Sequence, residues 1–313
     1  MAQGLDIVAL GEGMLEFNQT RAGAADYLQG YGGDTSNAAI AAARAGARTA
    51  YLTRVGADGF GAELLQLWQT EGVDTSAIAR DAERPTGIYF VTHGPQGHEF
   101  SYRRAGSAAS AMTPAWLARP EATALLQRCR YLHSSGISLA ISSSACDTVY
   151  AAMAVVRAAG GKISFDANLR LKLWPLARAR ACIAQAVALS DIFLPSLDDA
   201  VQLCGQEDPD AIVDWGHQLG APVVVLKLGA DGALVSDGTR RERIAAHRVQ
   251  LVDATGAGDC FSGNLLARLA QGMDLFEAAR HANAAAALAV QGYGAVAPLP
   301  RPEAVKALLN LLA

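Results

Sequence analysis

"QLVDATGAGDCFSGNLLARLAQG", residues 250–272, places two glycines and a carboxylate at the start of a helix. An apolar run ends at Asp253, the GAGD segment follows at 256–259, and an amphipathic helical pattern begins at once. The first turn of a helix has unpaired N–H groups and a partial positive charge, and glycines there let a phosphate approach the backbone. Asp259 then has two interpretations. It either favours the helix dipole, or it takes a proton from a substrate hydroxyl while the N–H groups stabilise a phosphoryl group.

Single residues exclude the other glycine-rich phosphate motifs. A dinucleotide fingerprint starting at Gly256 needs a glycine where Phe261 stands, and one starting at Gly11 needs a glycine where Glu16 stands. The chain contains no GxxxxGKS/T loop, no HRD or DFG kinase motif, no HExxH metal motif and no GxSxG nucleophile elbow. If the chain transfers phosphate, it therefore uses another architecture.

The composition is that of a globular α/β protein. The 313 residues are 51% hydrophobic and 18% charged, with a formal net charge of −4, which gives no electrostatic reason to expect nucleic acid or an anionic membrane as partner. The N-terminal segment lacks the features of a signal peptide, and no apolar run approaches the roughly 20 residues that span a bilayer. Five cysteines without close pairing favour buried thiols in a reducing, cytoplasmic setting.

Short β-branched runs alternate with alanine- and leucine-rich helical patterns along the chain. The runs read as buried strands, and they are LDIVAL, TAYLTRV, RYLHSSG, KISFDANL, DIFLPS and VVVLKLG. Helical patterns cover residues 37–46, 61–71, 146–159 and 177–189, and the chain is largely helical from Gly256 onward. This alternation predicts βαβ units and a mostly parallel sheet, with ligands bound beyond the carboxyl ends of its strands.

Two stretches interrupt the alternation with period-2 patterning around turn residues. They are residues 12–33 and residues 86–104, and the second predicts a hairpin with GPQG at its tip. Each stretch is either part of a small lid or interface, or an extension of the sheet edge.

Three segments carry a resemblance to a known family. "DATGAGDCFSG" (253–263) resembles the C-terminal signature of the ribokinase-like, or PfkB, carbohydrate kinases, and "GGDTSNAAIAAARAGA" (32–47) is similar to their N-terminal signature. "RVGADGFG" (54–61) also matches the family pattern. The order and spacing of these segments extend the resemblance over essentially the whole chain.

The resemblance implies a fold and a class of activity. The fold is α/β and three-layered, a single kinase domain over residues 1–313 with a mostly parallel central sheet and flanking helices. A small β-sheet lid comes from about 12–33 and 86–104. The activity is ATP-dependent phosphorylation of a sugar with magnesium, Asp259 as the base, and Gly256, Ala257 and Gly258 as the anion hole. Since lids of this kind expose sheet edges, we also expect a homo-oligomer.

Within the family, "SYRRAGSAAS" (101–110) and "SFDANLRLKLWP" (164–175) are most similar to the kinases of 2-keto-3-deoxygluconate. The resemblance implies that the sugar acid contacts Gly33, Asn37, Tyr89, Tyr102, Arg104, Arg170 and Asp259. The chemistry agrees, because arginine can bind a carboxylate with two parallel hydrogen bonds and two arginines suit an anionic sugar. The alternative is that both arginines form surface salt bridges.

The nucleotide side is less sharply marked. The resemblance implies an ATP pocket made by Asn168, Ser196, Lys227, Gly229, Gly232, Gly256, Ala257, Gly258 and Asn283. Taken by itself, "KLGADG" (227–232) is either a glycine-permitted approach for a nucleotide or a hairpin turn without a ligand.

The metal side departs from the family pattern. Where many relatives have an NxxE motif, "PSLDDA" gives Ser196 and Asp199, and aspartate can still orient a hydrated magnesium ion. Asp253 and Thr255 match a region where some relatives bind a monovalent cation, which makes K⁺ a candidate.

The expected reaction is phosphorylation of 2-keto-3-deoxy-D-gluconate to 2-keto-3-deoxy-6-phosphogluconate. Two alternatives stay open: a kinase of the same family that acts on fructose, ribose or a nucleoside, and a sugar-acid sensor that binds without transferring phosphate. The sequence does not distinguish the gluconate from the galactonate epimer.

Overall fold

The computed structural model describes residues 4–94 and 97–310. Its strands are β1 Leu5–Leu10, β2 Met14–Gln19, β3 Tyr27–Gly32, β4 Thr49–Leu52, β5 Arg54–Gly56, β6 Ala79–Asp81, β7 Ile88–Gly94, β8 Gly97–Arg103, β9 Cys129–Ser135, β10 Lys162–Asp166, β11 Ile192–Leu194, β12 Val223–Lys227, β13 Ala233–Ser236 and β14 Arg241–Ile244. Its α-helices are α1 Asp34–Arg44, α2 Gly59–Thr70, α3 Pro114–Leu117, α4 Pro120–Arg128, α5 Gly136–Ala140, α6 Ser143–Ala158, α7 Leu176–Ala188, α8 Leu197–Cys204, α9 Pro209–Gln218, α10 Ala257–Ala270, α11 Leu275–Ala289 and α12 Pro302–Asn310.

A central sheet of eight strands organises the molecule. Its order is β14-β13-β12-β11-β10-β9-β1-β4, and the pairs from β12 to β4 are parallel. Strand β1 shows why its sequence reads as a continuous apolar run: Val8 and Leu10 pack into the core on one face, whereas Ile7 and Ala9 pack on the other. Helices therefore cover both faces, and the predicted α/β class with a mostly parallel sheet is confirmed.

The two irregular stretches form one separate sheet of four strands, in the order β3-β2-β7-β8. Strand β2 pairs antiparallel with β3 and parallel with β7, which links the two stretches, and β7 pairs antiparallel with β8. The stretches are thus not extensions of the central sheet. Two residues at the predicted hairpin tip, Pro95 and Gln96, lie outside the described residues.

One edge of the central sheet ends in two antiparallel strands, β13 and β14, that were not among the predicted strands. Strand β13 runs antiparallel to both of its neighbours and is joined to β12 by the turn at 229–232, where Gly229 and Gly232 have φ of 59° and 90°. The KLGADG segment is therefore a hairpin turn, and Gly229 also faces the cavity described below. The positive φ angles explain the pair of glycines, since other residues rarely adopt them.

Helix α1 begins at Asp34, three residues before the predicted start at 37. The N-cap is Gly33, which has φ of 105°. A Cβ atom on Gly33 would lie 2.2 Å from the carbonyl oxygen of Glu12, so only glycine fits at this position. All five cysteines are free thiols, and none of the helices in the described ranges is long and apolar enough to cross a membrane.

Candidate active site

A cavity of about 870 Å³ lies at the carboxyl ends of the parallel strands, between the central sheet and the four-stranded sheet. Asp166 and Lys227, the last residues of β10 and β12, line its floor, whereas Tyr89 and Tyr102 reach it from β7 and β8. This is where open α/β sheets bind ligands, because the strand ends and helix starts meet there.

Most of the predicted site residues line this one cavity. They are Gly33, Asn37, Tyr89, Tyr102, Arg104, Asn168, Arg170, Ser196, Asp199, Lys227, Gly229, Thr255, Gly256, Gly258 and Asp259. Four predicted residues are not among its lining: Ala257, Gly232, Asn283 and Asp253. Asn283 donates to the carbonyl of Ala245 at 2.7 Å.

The cavity also contains polar residues that the sequence analysis missed, among them Glu12, Asp34 and Asp166. Glu12 stands two residues after the end of a predicted strand, so the rule about strand ends would have found it. Asp166 ends the observed β10, but the predicted strand KISFDANL continues past it. Asp34 occupies the first turn of α1, directly after the paired glycines.

Helix α10 begins as the GAGD segment predicts. Gly256 is its N-cap with φ of 75°, and a Cβ atom there would lie 2.9 Å from the Cβ of Ala295. Among the described residues no side chain caps this helix. The N–H of Ala257 donates to the carbonyl of Ala254 at 3.2 Å, so the N–H groups of Gly258 and Asp259 are the ones available to an anion. Asp259 lies in that first turn and faces the cavity.

Asn37 of α1 holds the Asp259 carboxylate in place. Its Nδ2 donates to Asp259 Oδ2 at 2.8 Å. The two helices approach so closely that a Cβ atom on Gly263 would lie 2.3 Å from the carbonyl oxygen of Ala38. Small residues on α1 and α10 therefore bring the two signature motifs, which are more than 200 positions apart, into hydrogen-bond contact.

Burial and, to a smaller extent, the nearby Asp34 carboxylate together raise the pKa of Asp259 to about 7, against the opposing effect of the Asn37 hydrogen bond. The side chain is nevertheless partly accessible through the cavity. A carboxylate with a pKa close to neutrality can both accept and release a proton near pH 7, as a general base requires.

An ion pair lies beneath the start of α10. Lys227 Nζ donates to Asp166 Oδ2 at 2.5 Å, and Ser262 Oγ donates to the same oxygen at 3.2 Å. A Cβ atom on Gly258 would lie 3.3 Å from Lys227 Nζ, so the ammonium group is adjacent to the first turn of α10. This position adds a positive charge to the N–H groups there.

Asn168 connects this ion pair to α1 through a strained backbone. It has φ of 27°, the one positive value of a non-glycine residue in the described ranges. Its N–H donates to Asp166 Oδ1 at 3.2 Å, and its Nδ2 donates to Asp34 Oδ2 at 2.9 Å. Such strain is tolerated where surrounding contacts fix the residue, and it concentrates at functional sites.

The two predicted arginines are held differently. Arg104 is 8% exposed, and its Nε donates to Glu12 Oε2 at 2.8 Å while its Nη2 forms an ion pair with the same carboxylate. The side chain of Arg170 is 50% exposed, and its Nη1 lies 4.0 Å from Asp199 Oδ1. Arg104 is thus in a buried ion pair and not in a surface salt bridge.

Tyr89 is fixed by a buried carboxylate behind it. Its hydroxyl donates to Glu16 Oε2 at 2.5 Å. Burial raises the pKa of Glu16 and also that of Tyr89, so the tyrosine keeps its proton as a donor. The ring of Tyr102 packs at a tilt of 32° against that of Tyr89, with centroids 5.7 Å apart, and Arg104 Cζ lies 5.8 Å from the centre of the Tyr102 ring.

The candidate metal residues already have protein partners. Ser196 caps α8 by accepting from the Asp199 N–H at 3.2 Å, and burial raises the pKa of Asp199. Asp253 accepts from the N–H and hydroxyl of Thr255 at 2.9 and 2.6 Å, and from the N–H of Gly294 at 2.9 Å. In the described part of the chain, no three His, Cys, Asp or Glu side chains are grouped to hold a metal ion directly.

Comparison with known proteins gives the family. The sequence model of the pfkB family carbohydrate kinases matches residues 5–302 of this chain, which therefore belongs to that family. Two similar curated proteins are both 2-dehydro-3-deoxygluconokinases. The protein from Bacillus subtilis is 34% identical over 98% of this chain and 96% of its own length, and the protein from Thermoproteus tenax is 35% identical over 98% and 95%.

A solved structure agrees in fold. The crystal structure of a putative ribokinase II from E. coli in complex with ATP and Mg²⁺ superposes with a TM-score of 0.90 and 26% identity, covering 98% of this chain and 99% of the other. The predicted family is therefore confirmed.

Proposed function

We propose that this protein transfers the γ-phosphoryl group of ATP to the terminal hydroxyl of 2-keto-3-deoxy-D-gluconate, giving ADP and 2-keto-3-deoxy-6-phosphogluconate. The observation that carries the proposal is the Asp259 carboxylate, which is held by Asn37 at the start of α10 in a cavity lined by two arginines. The shared activity of the two relatives named above supports the choice of substrate.

In the proposed reaction, Asp259 accepts the proton of the terminal hydroxyl as that oxygen forms a bond to the γ-phosphorus. The bond from the γ-phosphorus to the β–γ bridging oxygen breaks, and ADP leaves with that electron pair. The N–H groups of the α10 first turn, together with Lys227 beside Gly258, stabilise the charge on the transferring group. A positioned base of this kind contributes about 10²–10⁴-fold in rate.

The sugar acid would lie against the four-stranded sheet. Gly33, Asn37, Tyr89, Tyr102, Arg104 and Arg170 line that part of the cavity. Because Glu12 accepts a hydrogen bond from Nε of Arg104 and Nη2 makes none, the terminal N–H groups of the guanidinium are the ones that would bind the substrate carboxylate. Charge-assisted bonds contribute about 1.5–3 kcal/mol each, enough to prefer an acid over a neutral sugar.

ATP would lie along Asn168, Ser196, Lys227, Gly229, Gly256 and Gly258, which line the cavity. Ala257, Gly232 and Asn283 stay predicted ATP contacts from outside that lining. The carboxylate of Asp199 fits a magnesium ion held through water, since it lines the cavity and carries a negative charge there beside Ser196 and Arg170. When bound, magnesium neutralises phosphate charge. Asp253 and Thr255 form a rigid turn, which is our candidate K⁺ region.

The remaining expectations belong to the same proposal. The chain acts as a single domain in which the four-stranded sheet is a lid over the sugar, and copies assemble through the edges of such sheets. Five free thiols support a reducing cytoplasm.

The test is ADP release with magnesium-ATP on a panel of 2-keto-3-deoxygluconate, its galactonate epimer, gluconate, fructose and ribose. We expect turnover on the keto-deoxy acids. The second candidate, a kinase of neutral sugars, is favoured by one observation, the neutralisation of Arg104 by Glu12, and it predicts turnover on fructose or ribose instead. Calorimetric binding of the acid without ADP release would indicate a sensor.

A further inference from the structure

Two buried oxygen atoms of α1 lack hydrogen-bond partners. They are Asp34 Oδ1 and Asn37 Oδ1, in residues that are 8% and 3% exposed. The residues are three positions apart, so they share one face of the helix, and both line the cavity. Buried polar atoms normally have partners, and both of these atoms are acceptors, so what they lack is a donor.

The other polar atoms of the two side chains are already used. Asp34 Oδ2 accepts from Asn168 Nδ2 at 2.9 Å, and Asn37 Nδ2 donates to Asp259 at 2.8 Å. These bonds fix both side chains and leave the two Oδ1 atoms for a ligand. The strained backbone of Asn168 keeps the first bond in place.

Three observations restrict which kind of ligand group can donate to these two oxygen atoms. A phosphate oxygen would be repelled by the Asp34 carboxylate. The neighbouring cation, Lys227, is bound to Asp166. The described residues do not group three or more acidic, His or Cys side chains into a direct metal site here. A ligand hydroxyl is a donor that fits both acceptors.

We propose that Asp34, together with Asn37, accepts a hydrogen bond from the hydroxyl at carbon 5 of the sugar acid, which is next to the hydroxyl that is phosphorylated. This inference rests on the proposed function. Asn37 bonds the base Asp259, so the hydroxyl one carbon away from the reacting oxygen is the one that reaches the same face of α1. Asp34 is then a specificity-determining residue that a neutral acceptor replaces poorly, because a hydrogen bond to a charged group is stronger.

The experiment is a cycle of two enzymes and two substrates. The enzymes are the wild type and Asp34→Asn, and the substrates are 2-keto-3-deoxygluconate and its analogue without the carbon 5 hydroxyl. We expect the wild type to lose about 10- to 100-fold in kcat/KM on the analogue, and Asp34→Asn to lose a similar factor on the full substrate. On the analogue, Asp34→Asn should lower kcat/KM little further, because the substitution and the missing hydroxyl remove the same hydrogen bond.

The outcomes separate clearly. Equal kcat/KM of the wild type on both substrates overturns the proposal whether or not the variant folds. The proposal is also overturned if the loss from Asp34→Asn and the loss from the missing hydroxyl multiply, because the two changes then act independently. In that case, a shift of the acid limb of the pH profile in Asp34→Asn would show that Asp34 acts on the ionisation of Asp259. Asp147→Asn is the matched control, since Asp147 is exposed on α6 and outside the cavity lining. Absence of wild-type turnover on the keto-deoxy acid would instead refute the proposed function.

Discussion

The two walls of the cavity each present one arginine, and the two side chains are prepared for a ligand to different degrees. The wall next to the four-stranded sheet holds Arg104, buried and paired with Glu12. The opposite wall, the loop after β10, holds Arg170, half exposed and 4.0 Å from Asp199. A buried, paired guanidinium is already oriented before the substrate arrives, whereas an exposed one loses side-chain entropy on binding.

This difference suggests a division of labour. Glu12 accepts from Arg104 and from Ser107 Oγ at 2.5 Å, so the guanidinium is locked by a network that does not depend on the ligand. Arg170 is restrained by its bond to the carbonyl of Leu169 at 2.7 Å. We expect Arg104 to set substrate orientation and Arg170 to add binding energy once the substrate is in place.

The largest effect should come from Asp259, which lies where the two walls meet. Asp259→Asn keeps the shape of the side chain but removes the proton acceptor, so we expect kcat to fall by about 10²–10⁴-fold. Binding of both substrates, measured by calorimetry, should persist because the two arginines and the N–H groups of α10 are intact. Near-wild-type turnover by this variant would refute the assignment of the base.

The second prediction tests the comparison of the walls directly. Arg104→Gln should lower kcat/KM for the sugar acid by about 100-fold, and Arg170→Gln by about 10-fold, since exposed ion contacts are weaker. Arg104→Gln should also lower the melting temperature, because it leaves the buried Glu12 carboxylate unpaired. Steady-state kinetics and thermal denaturation of both variants give the result.

A double variant separates the two roles of Arg104. Combining Glu12→Gln with Arg104→Gln removes both charges, so stability should recover relative to the single variant while acid binding does not. Equal losses in the Arg104 and Arg170 single variants would mean that pre-orientation of the guanidinium does not matter.

The third prediction concerns pH. Because Asp259 must be ionised to accept a proton and its pKa is raised to about 7, kcat/KM should rise with pH through about 7 and fall close to tenfold per unit below it. This acid limb of the pH profile should persist in Arg104→Gln, because Arg104 lies on the cavity wall and is not the catalytic base. A limb below pH 5 in the wild type would show that burial and Asp34 do not raise the pKa of the working carboxyl.

The raised pKa of Asp259 also determines how stability changes with pH. The folded-state pKa lies above the ordinary value of 3.8, so the folded state binds the proton more tightly than the unfolded chain does. Asp259 therefore reduces stability as pH rises from about 4 to about 7. At pH 8, Asp259→Asn should melt at a higher temperature than the wild type.

Much of the fold could be predicted from residue patterns. The buried strands and the flanking helices follow from apolar periodicity, and the two irregular stretches were recognised by their alternation. What could not be predicted is that β2 pairs with β7, since a parallel pairing between distant segments leaves no local signal. The antiparallel strand β13 was not among the predicted strands, although the hairpin turn that leads into it was one of the two interpretations of KLGADG.

The site was predictable where backbone geometry demands a residue type. Gly33 and Gly256 must be glycine because of their φ angles and close contacts, and the predicted base follows from its place after Gly256. Asp34 and Asp166 were missed because their significance depends on partners far away in sequence, whereas the position of Glu12 after a predicted strand was a signal that the sequence did carry. The charge of Arg104 was predicted, but its neutralisation by Glu12 appears only once the chain is folded.

The smallest expected effect concerns motion of the wall that carries Arg104. If the four-stranded sheet closes over the sugar acid, backbone hydrogen exchange across 12–33 and 86–104 should slow by a few-fold when the acid binds, since closure excludes water from its hydrogen bonds. Strand β3 is the sensitive reporter, because it is an edge strand and Leu28 is 66% exposed. Strands β11 and β12 of the central sheet are the internal control, since their buried residues should exchange slowly with or without ligand. Hydrogen exchange read by mass spectrometry decides the matter: unchanged rates in both stretches at saturating acid would mean that the wall carrying Arg104 is rigid in position as well as in side-chain orientation.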